Sequence, residues 1–356
     1  MRGFLVLEDG TVFEGEPFGS RKEVLGEVVF ATGMTGYQES LTDPSYCGQI
    51  LVSSYPLIGN YGANAHDSQS RKVQVWGYAI KENCGHPSHR DSTKTLEEFL
   101  ADDDVPGISG IDTRALIRRL RNFGTMKGAI STDRPDEVLK RVRSMRHPEE
   151  TNLVKKVSTN EVLRFDGRKM KTVAVFDCGV KQNIIDELRK RFNVIQMPFD
   201  TPEDAVREFD PDGVFITNGP GNPAHPEMLS TTVATLRGLK EDYPMMGICL
   251  GHQLLSLVFG AKTYKLKFGH RGINQPVMME GRVYITSQNH GFAVDAASAE
   301  EAGLEVTVTN LNDGTVEGMR HRELPVFSVQ FHPEAHPGPH DTSFLFDRFG
   351  KMLEES

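Results

Sequence analysis

The segment Met246-Gly247-Ile248-Cys249-Leu250-Gly251-His252-Gln253 predicts a buried strand that runs into a sharp turn and then into a helix. Its G-x-C-x-G pattern is the thiol counterpart of the G-x-S-x-G elbow, in which the glycines let the backbone turn so tightly that the nucleophile projects. A helix from His252 to Phe259 would point its N-terminal amides at the sulfur of Cys249 and stabilise negative charge there. The amide of Leu250 would act as an oxyanion donor. We therefore interpret Cys249 as a nucleophile rather than a buried core cysteine.

The residues around this elbow alternate between short apolar strands and amphipathic helices after Lys171. Strands are predicted at 172–176, 194–197 and 213–216, and helices at 181–192 and 203–209. Strands separated by helices pair in parallel through right-handed crossovers, so we expect an α/β fold with a doubly wound, mostly parallel sheet. Ligands bind such sheets beyond the carboxyl ends of the strands. The third strand ends there in a compact glycine-rich turn, where Gly219 would be a second oxyanion donor.

The N-terminal part of the chain has a different pattern. Residues 1–155 are predicted to form a β-rich, mixed α+β domain with two helices and no catalytic constellation of its own, opening with a hairpin over residues 4–14. The following polar and charged stretch has little periodicity, and we assign residues 156–170 as a linker. The α/β domain then occupies residues 171–356. Between Lys262 and Val294 we expect several short strands and substrate-facing loops.

Composition excludes several classes of function. The chain has 49 acidic and 40 basic residues and a net charge of −9, so it lacks the electrostatic footprint of a protein that binds nucleic acid or an anionic membrane. No apolar run is long enough for a signal peptide or a membrane span. The cysteines are far apart and contain no C-x-x-C pair, which argues against disulfides and zinc and favours a reducing cytosol. They are Cys47, Cys84, Cys178 and Cys249.

A thiol nucleophile needs an imidazole that moves protons and a carboxylate that orients the imidazole. Residues 327–331 predict a late strand that delivers His332 at its end, and Glu334 would project from the same side of an extended chain. His290 is a second candidate for the base and His252 a weaker one, because it lies on the flank of the helix after Cys249. The histidines and Glu334 of this tail could also suggest a metal site, but the intervening prolines would separate them. We expect no metal.

Three motifs resemble those of the class I, or triad, glutamine amidotransferases. They are Gly247-Ile248-Cys249-Leu250-Gly251-His252-Gln253, Asn218-Gly219-Pro220-Gly221 and His332-Pro333-Glu334. Further segments narrow the resemblance to the family of small, glutamine-hydrolysing subunits of carbamoyl-phosphate synthetase. These include Leu5-Val6-Leu7-Glu8-Asp9-Gly10-Thr11, Met34-Thr35-Gly36-Tyr37-Gln38-Glu39, Leu41-Thr42-Asp43-Pro44-Ser45-Tyr46, Ile111-Asp112-Thr113-Arg114 and Pro337-Gly338-Pro339-His340-Asp341.

The resemblance implies hydrolysis of L-glutamine to glutamate and ammonia through a thioester on Cys249. His332 would be the general acid and base, Glu334 its orienting carboxylate, and Gly219 and Leu250 the oxyanion donors. The residues implied to hold glutamine are Ser45, Gly221, Gln253, Asn289, Gly291 and Phe292. Ser45 belongs to the first domain, which would then reach over the site and also contact a partner.

The same resemblance implies a cytoplasmic heterodimer with a large synthetase subunit that receives the ammonia. That partner would use ATP, magnesium and bicarbonate to make carbamoyl phosphate for arginine and pyrimidine biosynthesis, so no cofactor is expected on this chain. The alternatives are a stand-alone thiol hydrolase of γ-glutamyl compounds, another class I amidotransferase subunit and an inactive regulatory subunit. The presence of every triad residue argues against the last.

Overall fold

The structure is a computed structural model that describes residues 2–356. The chain divides into two compact units, and the division falls between Thr151 and Asn152. Each unit has its own sheet and its own buried cluster of apolar side chains.

The first unit is built around a closed barrel whose strands follow the order β1-β2-β8-β6-β4-β3-β9. Its strands are β1 (Gly3–Leu7), β2 (Val12–Gly19), β3 (Val24–Ala31), β4 (Gln49–Ser53), β5 (Leu57–Ile58), β6 (Gly77–Ala79), β7 (Glu82–Asn83), β8 (Pro106–Ser109) and β9 (Met126–Ser131). Its helices are α1 (Tyr37–Thr42), α2 (Leu96–Asp102), α3 (Thr113–Phe123) and α4 (Pro135–Ser144). The predicted hairpin is confirmed, because β1 and β2 pair antiparallel with Leu5 opposite Phe13. Two helices were predicted; the short helices α1 and α2 were missed.

The second unit contains one ten-stranded sheet in the order β10-β12-β11-β13-β14-β19-β18-β17-β15-β16. Its strands are β10 (Leu163–Phe165), β11 (Thr172–Asp177), β12 (Asn193–Pro198), β13 (Gly213–Ile216), β14 (Met245–Ile248), β15 (Thr263–Met279), β16 (Arg282–Val294), β17 (Leu304–Asn310), β18 (Val316–His321) and β19 (Val326–Val329). Its helices are α5 (Gln182–Arg191), α6 (Glu203–Glu208), α7 (Pro226–Ser230), α8 (Thr232–Leu239), α9 (Leu250–Phe259), α10 (Ala296–Glu301) and α11 (Phe344–Glu355).

The stretch 156–170, predicted as a linker, is part of the second unit. β10 pairs antiparallel with β12 through Leu163 to Phe165. The amide of Thr159 also donates a hydrogen bond to the carboxylate of Asp177 at the end of β11. A polar, aperiodic sequence therefore docks here through backbone hydrogen bonds, with Phe165 packed against the apolar cluster that includes α5.

The parallel part of the sheet confirms the predicted α/β class. β12, β11, β13, β14 and β19 are neighbours in that order and pair in parallel. Alternate residues of β11 enter different cores: Val173 and Val175 pack with α5 and α11, whereas Ala174 and Phe176 pack with α8 and α9. This burial on both faces explains why the strands read as nearly continuous apolar runs. The order of strands reverses between β11 and β13, because β12 lies on one side of β11 and β13 on the other. Such sheets bind ligands at this point, at the carboxyl ends of the strands.

The other half of the sheet is antiparallel. The expectation of several short strands and loops between Lys262 and Val294 is wrong, because β15 and β16 are long strands that pair along most of their length. Register shifts in this pairing follow Lys265 and Gly272, so the ribbon carries irregularities that hid its period of two. The ribbon follows α9 in the chain and forms the far edge of the same sheet, and the chain later returns at β19 beside β14.

None of the helices formed by residues 2–356 is both apolar enough and long enough to cross a membrane.

Candidate active site

Cys249 lies at a strained turn between β14 and α9. Its φ of 54° and ψ of −102° place a non-glycine residue in a conformation that L-amino acids rarely adopt. The turn is held because the Cys249 amide donates to the carbonyl oxygen of Val329 on β19. A Cβ on Gly247 would lie 2.6 Å from the backbone of Gly251, and one on Gly251 would lie 2.2 Å from the Ile216 carbonyl oxygen. Both glycines are therefore required by space, and the predicted nucleophile elbow is confirmed.

The helix after the elbow begins earlier than predicted. α9 starts at Leu250 rather than at His252, so Leu250 occupies the first helical position, whose amide has no intrahelical acceptor. The Cys249 side chain is buried, and its Sγ lies 3.5 Å from the carbonyl oxygen of Asn289 on β16. The thiol therefore sits between the start of a helix and the strand that carries three of the residues implied to bind glutamine.

His332 and Glu334 meet in a tight turn that follows β19. His332 Nδ1 lies 2.6 Å from Glu334 Oε1, and because a carboxylate only accepts, Nδ1 carries the proton. The two side chains were expected to share one side of an extended chain. Instead, the amide of Ala335 donates to the His332 carbonyl oxygen, so a turn closes between them. The turn leaves His332 Nε2 buried, without a hydrogen bond of good geometry among residues 2–356.

Lys181, at the start of α5, was not predicted as a site residue. Its side chain is buried, and Nζ donates to Glu334 Oε1 at 2.9 Å and to the carbonyl oxygen of Ala335. Asn183 adds a second clamp, because its side-chain amide donates to the Glu334 carbonyl oxygen. The turn that follows β19 is thus fixed by two residues near the carboxyl end of β11. In the sequence Lys181 is one of many lysines before a helix, and nothing distinguishes it until the sheet places it beside Glu334.

At Glu334 and His332 the effect of neighbouring charges on the pKa is larger than the effect of burial. Burial raises the pKa of Glu334, but the positive charges of Lys181 and His332 outweigh it, so that the pKa of Glu334 is lowered. Burial lowers the pKa of His332, but the Glu334 charge, the Cys249 thiol on the Nε2 side and the hydrogen bond to Glu334 outweigh it, so that the pKa of His332 is raised. The favoured charge state is an imidazolium held by a carboxylate, with Nε2 left for the thiol side.

The two competing histidines are occupied elsewhere. His252 is buried within α9 with Nδ1 2.9 Å from the Ser328 hydroxyl, and burial lowers its pKa to about 3. His290 lies on β16 with Nδ1 2.7 Å from the carbonyl oxygen of Phe292 and Nε2 3.2 Å from Gln288 Oε1. Both rings are bound by other groups, whereas the Cys249 thiol is among the groups that raise the pKa of His332. The geometry therefore favours His332.

The two predicted oxyanion residues are neighbours. A Cβ on Gly219 would lie 2.9 Å from Leu250 Cδ2 and 2.0 Å from the carbonyl oxygen of Cys178, so only glycine fits between these segments. Thr217 connects the segments that follow β11, β13 and β14. Its carbonyl oxygen accepts from the Gly251 amide, and its hydroxyl accepts from the Cys178 amide. Thr217, like Lys181, was missed. Its two hydrogen bonds fix the oxyanion loop relative to the elbow.

The residues implied to hold glutamine are distributed over both units. In the second unit, Gln253 on α9 donates through Nε2 to the Phe292 carbonyl oxygen and to Gln330 Oε1, both at 2.9 Å, so a substrate contact by its side chain would use Oε1. Asn289, Gly291 and Phe292 lie on β16, and Gly221, with φ of 93°, follows the Gly219 turn. Ser45 lies in the first unit, in a 3-10 turn over Pro44–Tyr46. Its role toward glutamine stays a prediction.

Comparison with known families gives two matches that together span most of the chain. Residues 5–130 match the family described as carbamoyl-phosphate synthase small chain, CPSase domain, and residues 174–352 match glutamine amidotransferase class-I. These two regions correspond to the barrel unit and to the unit that contains Cys249.

Relatives are similar over their whole length. The carbamoyl phosphate synthase small chain of Archaeoglobus fulgidus is 51% identical, with 100% of this chain and 99% of the relative aligned. That of Methanopyrus kandleri is 50% identical over 100% of both chains. That of Bacillus caldolyticus is 49% identical over 100% of this chain and 97% of the relative.

Proposed function

Because this chain belongs to the family of carbamoyl-phosphate synthase small chains, we propose that it hydrolyses L-glutamine and supplies the ammonia to a large synthetase subunit. The observation that carries the proposal is the position of Cys249 at a positive-φ elbow, beside the buried His332–Glu334 pair. A thiol nucleophile with an oriented imidazole is the arrangement that amide hydrolysis requires.

The reaction follows from these groups in two steps. The Cys249 thiolate attacks the side-chain amide carbon of glutamine, and the amides of Gly219 and Leu250 stabilise the oxyanion. His332 then gives its Nε2 proton to the departing nitrogen as the C–N bond breaks, which leaves a thioester and ammonia. In the second step water loses a proton to His332 and attacks the thioester. The C–S bond breaks, glutamate leaves and the imidazolium–thiolate pair is restored.

The remaining components of the synthesis belong, in this proposal, to the partner. The large subunit would bind ATP, magnesium and bicarbonate and would convert the ammonia to carbamoyl phosphate, a precursor for arginine and pyrimidines. This chain would need no cofactor for hydrolysis and would work in the cytoplasm. A stand-alone γ-glutamyl hydrolase is not favoured, because the N-terminal unit matches the small-chain family and not only the amidotransferase class.

The test compares the Cys249→Ser variant with the unchanged chain, each reconstituted with a large subunit. We expect glutamine-dependent synthesis to fall at least about a thousand-fold in the variant, while synthesis from added ammonia stays close to that of the unchanged complex. Co-purification of the two subunits controls for loss of assembly. Equal loss of both activities in an assembled complex would contradict the role of the thiol. Full glutaminase turnover without the partner would favour the stand-alone hydrolase.

A further inference from the structure

Three buried side chains from three strands converge in the antiparallel half of the second unit. His270 lies on β15, His290 on β16 and Glu317 on β18. One ring nitrogen of each histidine and a carboxylate oxygen of Glu317 lie within 4.8 Å of one another. All three residues are less than one-tenth exposed, and Glu317 is fully buried. None of them takes part in the proposed hydrolysis.

Each imidazole is oriented by an acceptor on its far side. His270 Nε2 lies 2.9 Å from Asp313 Oδ2, and His290 Nδ1 lies 2.7 Å from the carbonyl oxygen of Phe292. With a proton on each of these outer nitrogens, His270 Nδ1 and His290 Nε2 present lone pairs on the Glu317 side, where Asn310 Nδ2 also lies, 3.5 Å from His270 Nδ1. Metal-binding histidines are held in this way, by a carboxylate or a backbone carbonyl behind the ring.

The spacing of the inner atoms suits a small tetrahedral ion. Glu317 Oε1 lies 3.4 Å from His270 Nδ1 and 3.9 Å from His290 Nε2, and Gln288 Oε1 lies 3.2 Å from His290 Nε2. Bonds of about 2.0 to 2.1 Å in a tetrahedron put ligand atoms about 3.4 Å apart. Glu317 Oε1 also accepts from Asn310 Nδ2 at 3.0 Å, whereas Oε2 is buried and has no hydrogen-bond partner of good geometry among the residues that the structure describes.

We propose that His270, His290 and Glu317 bind a divalent transition-metal ion of the zinc type, with Gln288 Oε1 as the fourth ligand. Nitrogen and carboxylate oxygen are ligands that zinc accepts, and neutral imidazole is its commonest nitrogen donor. Asp313 provides the access path, because its side chain is 42% exposed on the turn between β17 and β18. The ion would fasten β15, β16 and β18 to one another. This site was not expected from the sequence, since its members come from separate strands.

Metal binding at this cluster does not depend on glutamine hydrolysis, so it can be measured separately. The full-length chain is prepared metal-free with the substitution Cys249→Ser. This removes the thiol of the proposed catalytic site, which together with His332 would offer a competing metal site. Titration with Zn²⁺ by calorimetry and with Co²⁺ by absorption is expected to show one tight equivalent. The Co²⁺ spectrum should be that of a tetrahedral nitrogen–oxygen site without a sulfur charge-transfer band.

Variants of the cluster make the test specific. Glu317→Gln and His270→Asn, each in the same background, should lose the equivalent. Asp313→Asn keeps every ligand and should weaken binding by about 10- to 100-fold, as removal of an outer-shell partner does. Because Asp313 lies at the surface, this variant stays informative if a buried substitution impairs folding. His147→Asn is the matched control, since His147 lies between Glu27 and Glu149 in the first unit, and it should keep the equivalent.

Two outcomes would overturn the proposal. One is a metal-free chain that takes up no tight equivalent, which would leave His270 as an imidazolium hydrogen-bonded between Glu317 and Asp313. The other is uptake that is unchanged in Glu317→Gln, His270→Asn and Asp313→Asn, which would place the ion elsewhere on the chain.

Discussion

Lys181 Nζ lies 2.9 Å from Glu334 Oε1, and both side chains are buried almost completely. The same carboxylate oxygen therefore accepts from two cations, the Lys181 ammonium and the His332 imidazolium. The carboxylate orients the ring while the Lys181 ammonium neutralises part of its charge at the same oxygen. The catalytic pair of this chain thus depends on a third buried charge, which comes from the first βα turn of the second unit.

Lys181→Met tests this dependence, because it keeps the volume of the side chain and removes its charge. Loss of one member of a buried ion pair is expected to lower the free energy of unfolding by about 3 to 5 kcal/mol, and glutaminase kcat should fall. Adding Glu334→Gln should recover much of the stability but none of the activity. Urea unfolding and steady-state kinetics measure both. Lys190→Met, which removes the exposed ammonium that pairs with Glu187, is the control and should change little. Equal stability of the two single variants would contradict the assignment.

The pH dependence of stability follows from the directions of the two pKa shifts. The pKa of His332 is raised above its ordinary value of 6.5, so its contribution is complete below that pH and is lost as the pH rises through the raised value. The pKa of Glu334 is lowered below 4.5, so its contribution is present above that pH and is lost on acidification. Both contributions are complete between about pH 4.5 and pH 6.5. The difference in unfolding free energy between the unchanged chain and Glu334→Gln should therefore be largest in this range and become smaller at lower and at higher pH. Denaturant unfolding between about pH 3 and about pH 10 checks this, and a constant difference would refute it.

The two glycines of the elbow are expected to resist substitution for steric reasons. In Gly251→Ala the new methyl group would meet the Ile216 carbonyl oxygen at 2.2 Å, so the start of α9 must shift. Overpacking of this kind costs about 1 to 3 kcal/mol, and activity should fall further because the Leu250 amide moves with the helix. Thermal unfolding and glutaminase assays measure these effects. Gly85→Ala is the control, because a methyl group there meets nothing within 4 Å. Similar behaviour of the two variants would show that the elbow can relax.

His332 and His252 are expected to differ in their importance for catalysis. His332→Gln removes the imidazole that interacts with Cys249, and glutaminase kcat should fall at least about a thousand-fold. His252→Gln changes a neutral buried ring that contacts Ser328, so kcat should stay within about tenfold and the pH profile should keep its shape. Rate profiles against pH distinguish the two. A loss of comparable size in His252→Gln, in a folded chain, would transfer the role of base to α9.

The elbow and the late histidine were predictable because their chemistry is local. Two glycines around a cysteine define the turn at residues 247–251, and an apolar strand delivers His332 three residues after its end. Alternation of strands and helices after Lys171 similarly predicted the parallel half of the sheet. Each of these signals lies within one or two consecutive elements.

What the sequence did not predict depends on contacts between distant segments. Lys181 and Thr217 become important only when β11, β13 and β19 align their carboxyl ends, and no local pattern marks them. The ribbon of β15 and β16 was misread because its register shifts break the period-two alternation that identifies a strand. The segment 156–170 was assigned as a linker because backbone pairing of β10 leaves no trace in hydrophobic periodicity.

The adjacency of β14 and β19 also determines which parts of the chain can change in length. The chain leaves β14 through α9, forms β15 to β18, and returns at β19, which pairs with β14. In this segment β15 and β16 are joined by a hairpin turn at Glu280 and Gly281, where both residues have positive φ. Insertions at that turn would lengthen the segment between α9 and β19 without separating the Cys249 thiol from the His332 imidazole. A short peptide label could therefore be placed there to follow the protein in assembly experiments while leaving its chemistry intact.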